Sequence, residues 1–308
     1  MVSVAPARLV FSVIFFVFLS MTAVVLWDNT LVVYSDASER WVGFDNQCCQ
    51  FGNQLWMLAS TYGIAKARRA RWCVIDSGGV GTYYSYLEWT EKAPERCPGS
   101  FLFHYTPQLV PVGDGGNFAG YSSNYLNSSS PSIRADGCLQ SFKYFDKVNP
   151  IPFRLSSAPA ARIWVQERAI TAAIHIRRGD KMGDHLNIVP PVSYFEMAVD
   201  LLGKLVPSDG HIFVVVTDDP AWVNGIPFFR GMYVLSSDVP SFDMAVISEC
   251  QHKILSIGTF GWWGAFLNDK STSVVIYPAL QFVGAESAGF HGSDYFPARW
   301  IGIDYSTV

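Results

Sequence analysis

The chain has 308 residues, 50% of them hydrophobic and 15% aromatic, enough for one large domain or two smaller ones with packed cores. A net charge of −4, from 22 Lys and Arg against 26 Asp and Glu, leaves no basic footprint for nucleic acid. The cysteine spacing fits no zinc site, because only Cys48 and Cys49 lie near each other in sequence.

The first long apolar stretch runs from Leu9 to Trp27, 19 residues without a charge, between Arg8 and Asp28. That is near the ~20 residues that span a bilayer, and longer than the roughly 7–15 of a signal-peptide core. It ends Val24-Val25-Leu26-Trp27, a poor cleavage site, and Arg8 keeps the N-terminal side cytoplasmic. The expectation is a type II signal anchor, with residues 1–8 a cytoplasmic tail, 9–27 the span, 28–40 a stem and the remainder lumenal. A lumenal address permits disulfides among the six cysteines, Cys48, Cys49, Cys73, Cys97, Cys138 and Cys250. About 15 full pairings exist, and buried free thiols are an equal reading for some of them. Asn127-Ser128-Ser129 is a glycosylation sequon in a polar loop.

Gly52 reads as a turn before a helix, with Leu55, Leu58, Ala59 and Tyr62 at helical spacing. The helix runs to about Arg69, and its basic end (Lys66, Arg68, Arg69) suits the helix dipole. Asn53 and Gln54 then stand at a helix N-terminus, where free N–H groups favour anions or sugar oxygens; a plain Asn cap is the other reading. Trp72–Ile75 reads as a strand. From Gly78 to Gly137 the chain is rich in Gly, Pro, Ser and Tyr, with short strand candidates at Thr82–Leu87 and Phe101–Tyr105. Pro150 and Pro152 mark a boundary between two halves.

The second half alternates clearly. Ile170–Ile176 is a strand with Thr171, His175 and Arg177 on one face, and Ser193 with Glu196 reads as a capping box opening a helix to Leu205. Ile212–Val216 is an unbroken apolar strand, and Met232–Leu235 is the next. The helix Ser241–Cys250, the strand Lys253–Ile257, the helix Phe260–Leu267 and the strand Thr272–Tyr277 complete a doubly wound parallel sheet. Ligands bind such sheets beyond the strands' carboxyl ends. At successive ends stand Arg177-Arg178, Thr217-Asp218-Asp219, Ser236-Ser237 and Gly258-Thr259-Phe260-Gly261, all on one edge. Two adjacent guanidiniums offer paired donors to a diphosphate, Gly258 allows close backbone approach, and Thr259 opens a helix whose N-terminus suits phosphate.

His175-Ile176-Arg177-Arg178-Gly179-Asp180 resembles the HxRRGD signature of the alpha-1,2-fucosyltransferases, glycosyltransferase family 11. Four further segments resemble that family in order. They are Gly52-Asn53-Gln54; Leu139-Gln140-Ser141-Phe142-Lys143-Tyr144-Phe145, with Phe142 where Trp is usual; Val216-Thr217-Asp218-Asp219 with Trp222; and Asp243 through Gly258-Thr259-Phe260-Gly261-Trp262-Trp263. The ending Trp300-Ile301-Gly302-Ile303 is similar too, so the likeness covers about residue 50 onward. Gln50 and Gln251 depart from the usual residues, and the divergence resembles invertebrate members.

The resemblance implies an α/β chain of GT-B type, two Rossmann-like halves: 41–150 on the acceptor side and 151–308 binding GDP-fucose. It implies inverting transfer of L-fucose to the 2-hydroxyl of a galactoside on a glycan, in the Golgi membrane. Arg177 and Arg178, helped by Thr259, would stabilise the departing diphosphate, and His175, Thr217, Asp218, Asp243, Gly258 and Phe260 would line the donor site. Asn53 and Gln54 would face the cleft, and Asp180 would serve as base or as a brace for the arginines. Asp218-Asp219 could hold a divalent cation, but the arginines already supply positive charge, so no metal or other cofactor is expected. Two alternatives stay open: another GDP-fucose transferase of alpha-1,6 or protein O-fucosyl type, and a glycan-binding relative without catalysis.

Overall fold

A computed structural model of the chain describes residues 23–27, 30–34, 40–45, 50–75, 83–97, 120–135, 137–148, 150–208, 210–283 and 290–306. The first element is a hairpin of β1 (Ala23–Trp27) and β2 (Thr30–Tyr34), antiparallel, with Trp27 opposite Thr30. This corrects the end of the expected span. Val24, Val25, Val32 and Val33 are β-branched and favour strand, and residues 23–27 are extended. Residues 9–22 of the expected span lie outside the described residues, among which no helix is long and apolar enough to cross a membrane.

The N-terminal half holds β3 (Trp41–Asp45), α1 (Phe51–Arg68), β4 (Arg71–Ile75), β5 (Leu87–Trp89), β6 (Glu95–Arg96), α2 (Asn124–Asn127) and β7 (Ile133–Ala135). Four of its strands form a parallel sheet in the order β6-β4-β3-β7. Only β4 of this sheet was expected from periodicity. Two of the others, β6 and β7, are two and three residues long, too short for a window that seeks a repeat. Tyr84–Tyr86 is a 3-10 turn rather than strand, and the candidate at 101–105 lies outside the described residues.

The chain then crosses through β8 (Phe153–Leu155), which pairs antiparallel with β5, into the C-terminal half. There follow α3 (Ala158–Glu167), β9 (Ala172–Ile176), α4 (Val192–Leu205), β10 (Phe213–Thr217), α5 (Pro220–Gly225) and β11 (Tyr233–Leu235). The series continues with α6 (Pro240–Glu249), β12 (His252–Ile254), α7 (Thr259–Phe266), β13 (Val275–Pro278), α8 (Gly292–Tyr295) and β14 (Ile301–Ile303). All six strands run parallel in the order β11-β10-β9-β12-β13-β14. Numbered within the half, that order is 3-2-1-4-5-6, the doubly wound Rossmann arrangement, and its switch point lies between β9 and β12. Together the halves form the GT-B architecture. The strand β14 joins the expected set at its edge. Helix α4 begins at Val192 with Pro191 as N-cap, so Ser193 sits inside the first turn and no capping box forms.

One apolar core runs through both halves. Trp56 of α1 packs on Trp262 of α7 with ring centroids 4.1 Å apart, and on Phe145, Trp263 and Tyr295 at 5.4–5.5 Å. The C-terminal segment fastens this join: Trp262 Nε1 donates to Tyr295 O at 2.9 Å, Tyr121 N donates to Asp294 Oδ2 at 2.9 Å, and Lys143 pairs with Asp294 at 2.5 Å. Cys73 and Cys97 form a disulfide beside β4, Cys138 is disulfide-bonded, and Cys250 is a buried free thiol. Cys48 and Cys49 lie outside the described residues. The basic end of α1 is paired: Lys66 with Glu91, Arg71 with Glu95, and Arg68 on the carbonyls of Tyr125, Leu126, Ser128 and Ser130. Asn127 ends α2 and is exposed, as a used sequon requires.

Candidate active site

The carboxyl ends of β9, β10, β11 and β12 open into a cavity of about 680 Å³ at the switch point. Strand geometry decides what enters it. Successive side chains of an extended chain point to opposite sides, so His175 and Arg177 share a face and Arg178 takes the other. Arg177 lines the cavity, and its guanidinium is held by three acceptors. Nη1 donates to Asp218 Oδ2 at 2.6 Å, Nη2 lies 2.6 Å from Asp180 Oδ1, and Nη2 donates to Gln50 Oε1 at 3.2 Å. Arg178 does not line it. Its guanidinium sits 3.9 Å from the centre of the Trp222 ring and 3.5 Å from Asp219, while its backbone N–H donates to Asp218 Oδ1 at 2.8 Å. Of the two arginines expected side by side, Arg177 lines the cavity and Arg178 packs on Trp222 behind the turn.

Asp218 is the keystone of this edge, since both its oxygens are committed to consecutive arginines. Thr217 is buried, its hydroxyl accepting from Asp219 N at 3.0 Å. Ser256 accepts from Arg177 N at 2.8 Å and lies 3.3 Å from His175 Nδ1. With the hydroxyl proton directed at Nδ1, the neutral ring carries its own proton on Nε2. His175 is 4% exposed and stacks on Phe260 at 5.8 Å. Burial, and then the Arg177 charge, hold its pKa down at about 3.

That depression has a sign. Below the unfolded value of about 6.5 the unfolded chain takes up a proton that the folded chain refuses, so stability falls as pH drops from about 6.5 toward 3. Thermal melts of the wild type and a His175→Asn variant between pH 7 and 4 check this. The wild type is expected to lose the greater share of its pH 7 stability, and parallel losses would refute it.

Two helix N-termini meet at the cavity. Asn53, in the first turn of α1, accepts from the Thr259 hydroxyl at 2.7 Å and from Gln140 Nε2 at 3.2 Å, tying together three segments that line the cavity. A Cβ on Gly52 would lie 2.6 Å from Thr259 Oγ1 and 2.9 Å from its carbonyl carbon, so only glycine lets α1 and α7 approach this closely. Gly258 lines the cavity. No atom lies within 4 Å of its Cβ direction, and its φ of +93° is the reason for glycine at the α7 N-cap. The partial positive charge at a helix N-terminus favours an anion. Gln54 is buried and does not line the cavity.

At the β11 end Asp243 lies buried on α6, with both oxygens accepting from Ser237, from N at 3.0 Å and from Oγ at 2.6 Å. Burial raises its pKa, against those two hydrogen bonds. Among the described residues no group of His, Cys, Asp and Glu is placed to hold a metal ion. Sequence reasoning missed Gln50, Gln140 and Ser256 as site residues, whereas Ser236 and Ser237 stand on the expected edge. Gln140 was in view, but nothing in its spacing points at the cavity.

The sequence profile of glycosyl transferase family 11 matches residues 163–304, from α3 to just beyond β14. Over that stretch the chain is similar to glycosyl transferase family 11. The chain is 29% identical over 126 residues to the O-antigen biosynthesis glycosyltransferase WbnK of Escherichia coli, 38% of this chain and 41% of that protein. It is 25% identical over 241 residues to galactoside alpha-(1,2)-fucosyltransferase 2 of Rattus norvegicus, 71% of this chain and 58% of the relative. With its counterpart in Oryctolagus cuniculus the identity is 30% over 147 residues, 42% of this chain and 38% of the relative. The chain thus spans well under two thirds of the length of each. Among solved structures, that of NodZ alpha-1,6-fucosyltransferase co-crystallised with GDP superposes with a TM-score of 0.49 at 14% identity, covering 74% of this chain and 92% of NodZ.

Proposed function

We propose that the chain transfers L-fucose from GDP-fucose to the 2-hydroxyl of a galactoside on a glycan, forming an alpha-1,2 linkage with inversion. What carries the reading is Arg177, a guanidinium fixed at the switch point of a Rossmann-ordered sheet where two helix N-termini converge. The acceptor oxygen forms its bond to the fucose anomeric carbon as the bond to the β-phosphate oxygen breaks, negative charge grows on the leaving diphosphate, and the acceptor hydroxyl's proton passes to water or to that diphosphate. Arg177 and the N-terminus of α7 meet that charge, and the Thr259 hydroxyl joins them once its proton turns away from Asn53 Oδ1. Asp243 and Ser237, at the far polar end, suit the nucleoside. The linkage and the galactoside rest on the relatives named alpha-(1,2)-fucosyltransferases. Labelled GDP-fucose with a panel of galactosides, followed by NMR of the product linkage, tests both; no transfer to any acceptor would sink the reading.

Asp180 serves as a brace, since its carboxylate is half exposed and paired with Arg177 and Lys181. Asp180→Asn is expected to keep kcat within about tenfold of wild type, because losing a general base costs about 10²–10⁴. A larger fall makes Asp180 the base. No metal enters this reading, because the Asp218 oxygens are occupied by Arg177 and Arg178. Excess chelator is expected to leave the rate unchanged, and loss restored by Mn²⁺ would overturn that. Anchorage in the Golgi membrane as a single-pass type II protein is proposed on the uncharged apolar run that follows Arg8, with the chain lumenal beyond it. Protease protection of the chain in sealed microsomes is the expected result.

A further inference from the structure

The cavity changes character along the sheet edge. Toward β11 and β10 its walls are polar, with Ser237, Asp243, Thr217 and Asp218. Past β13, at the opposite side of the switch point, the lining is Leu186, Phe282 and Val283. Leu186 and Val283 are 67% and 60% exposed, among the most exposed large apolar residues described, and both stand at the mouth. Exposed apolar groups at the rim of a polar cleft mark a binding surface.

These side chains are presented rigidly. The segment after β9 returns across the edge, and Asn187 bridges Phe282 in antiparallel register, which places Leu186 opposite Val283. Val283 N donates to Leu186 O at 2.9 Å, and Ile188 N donates to Gln281 O at 3.0 Å. Asp184 locks the approach, accepting from Leu186 N at 2.8 Å, Asn187 Nδ2 at 2.6 Å and Lys181 Nζ at 3.2 Å. Phe282 is braced by Phe290 at 5.1 Å. A preorganised apolar pair loses little entropy when a ligand covers it.

We infer that Leu186 and Val283 form a subsite for an apolar aglycone on the acceptor, so that acceptors are discriminated by what the galactose is attached to. The inference rests on the fucosyl-transfer reading above. A nucleotide sugar fills the polar side, with its diphosphate at Arg177. The acceptor must then enter over the remaining side, and the group trailing from its anomeric oxygen passes the lip. Apolar contact of this size is worth about tenfold in kcat/KM.

Octyl and methyl β-galactoside, used below micelle-forming concentrations, differ only in the trailing group. With GDP-fucose and the full chain, kcat/KM is expected to be about tenfold higher for the octyl acceptor, mainly through KM. In Leu186→Ser and in Val283→Ser the ratio falls, and in the double variant it approaches one. Ile163→Ser, an exposed apolar site on α3 away from the cavity, keeps the wild-type ratio. Binding of both galactosides to the GDP-loaded protein, measured by calorimetry, separates the two readings. Octyl preference in binding that the double variant loses, without any transfer, upholds the lip and refutes the proposed activity. Transfer with equal kcat/KM for the two acceptors refutes the lip and leaves the activity standing. A ratio that survives the double variant, or a dimer that dissociates on Leu186→Ser without any aglycone preference, also overturns the inference.

Discussion

Arg177→Ala is expected to lower kcat for fucose transfer by about 10²–10³-fold, with thermal stability nearly unchanged. The side chain is the one guanidinium of the Arg177-Arg178 pair that lines the cavity, and it is held in place by Asp218, Asp180 and Gln50. Removing it leaves the charge of the departing diphosphate to the helix N-termini alone. Arg177→Lys should recover little, because an ammonium cannot span three acceptors and still offer paired donors to phosphate. Arg178→Ala is the informative contrast. Its guanidinium stacks on Trp222 outside the cavity, so the expected fall is under about tenfold, as the turn loosens. Steady-state kinetics on the three variants decide it. A larger loss from Arg178→Ala than from Arg177→Ala would mean the wrong arginine has been placed on the diphosphate.

Trp56→Ala is expected to cost about 3–5 kcal/mol of stability. The side chain is fully buried and touches Trp262 and Trp263 of α7, Phe145, and Tyr295 of the C-terminal segment, so the void opens between the halves. For a chain of this size that corresponds to a Tm lower by roughly 5–8 °C. Because one core serves both halves, the melt should remain a single transition. Trp56→Phe should cost much less: the ring contacts largely survive, and the buried Nε1, which has no hydrogen-bond partner among the described residues, is removed. Calorimetry showing two separated transitions in the wild type would refute the shared core.

The C-terminal sheet was legible because its strands are apolar runs between helices of ordinary length, and strand ends carry polar clusters wherever a ligand is held. Arg177, Thr217, Asp218 and Thr259 could be placed on one edge from that pattern alone. The N-terminal sheet was not, since strands of two or three residues such as Glu95–Arg96 and Ile133–Ala135 carry no period. The facing of Arg178 was recoverable. Alternation along an extended chain had already put His175 and Arg177 together, and the same rule turns Arg178 away. The junction of α1 with α7 was beyond reach, because Asn53 and Thr259 are 206 positions apart and meet only through tertiary packing. Gln50 illustrates the cost of reading a motif by its usual letters: a residue that looks like a departure supplies a hydrogen bond to Arg177.

The stitching of Asp294 and Tyr295 onto Tyr121, Lys143 and Trp262 bears on how the chain is made as well as on how it stands. A ribosome delivers about 5–20 residues per second, so the first half emerges many seconds before residues 290–296 do. During that interval Trp56 and Phe145 have no partners from α7 or the C-terminal segment, and a broad aromatic face is open to water. The first half therefore cannot mature while its remainder is still being synthesised, and must be shielded until then. Nascent chains stalled before residue 250 should be cut throughout residues 50–150 by low protease, and chains released beyond residue 300 should resist.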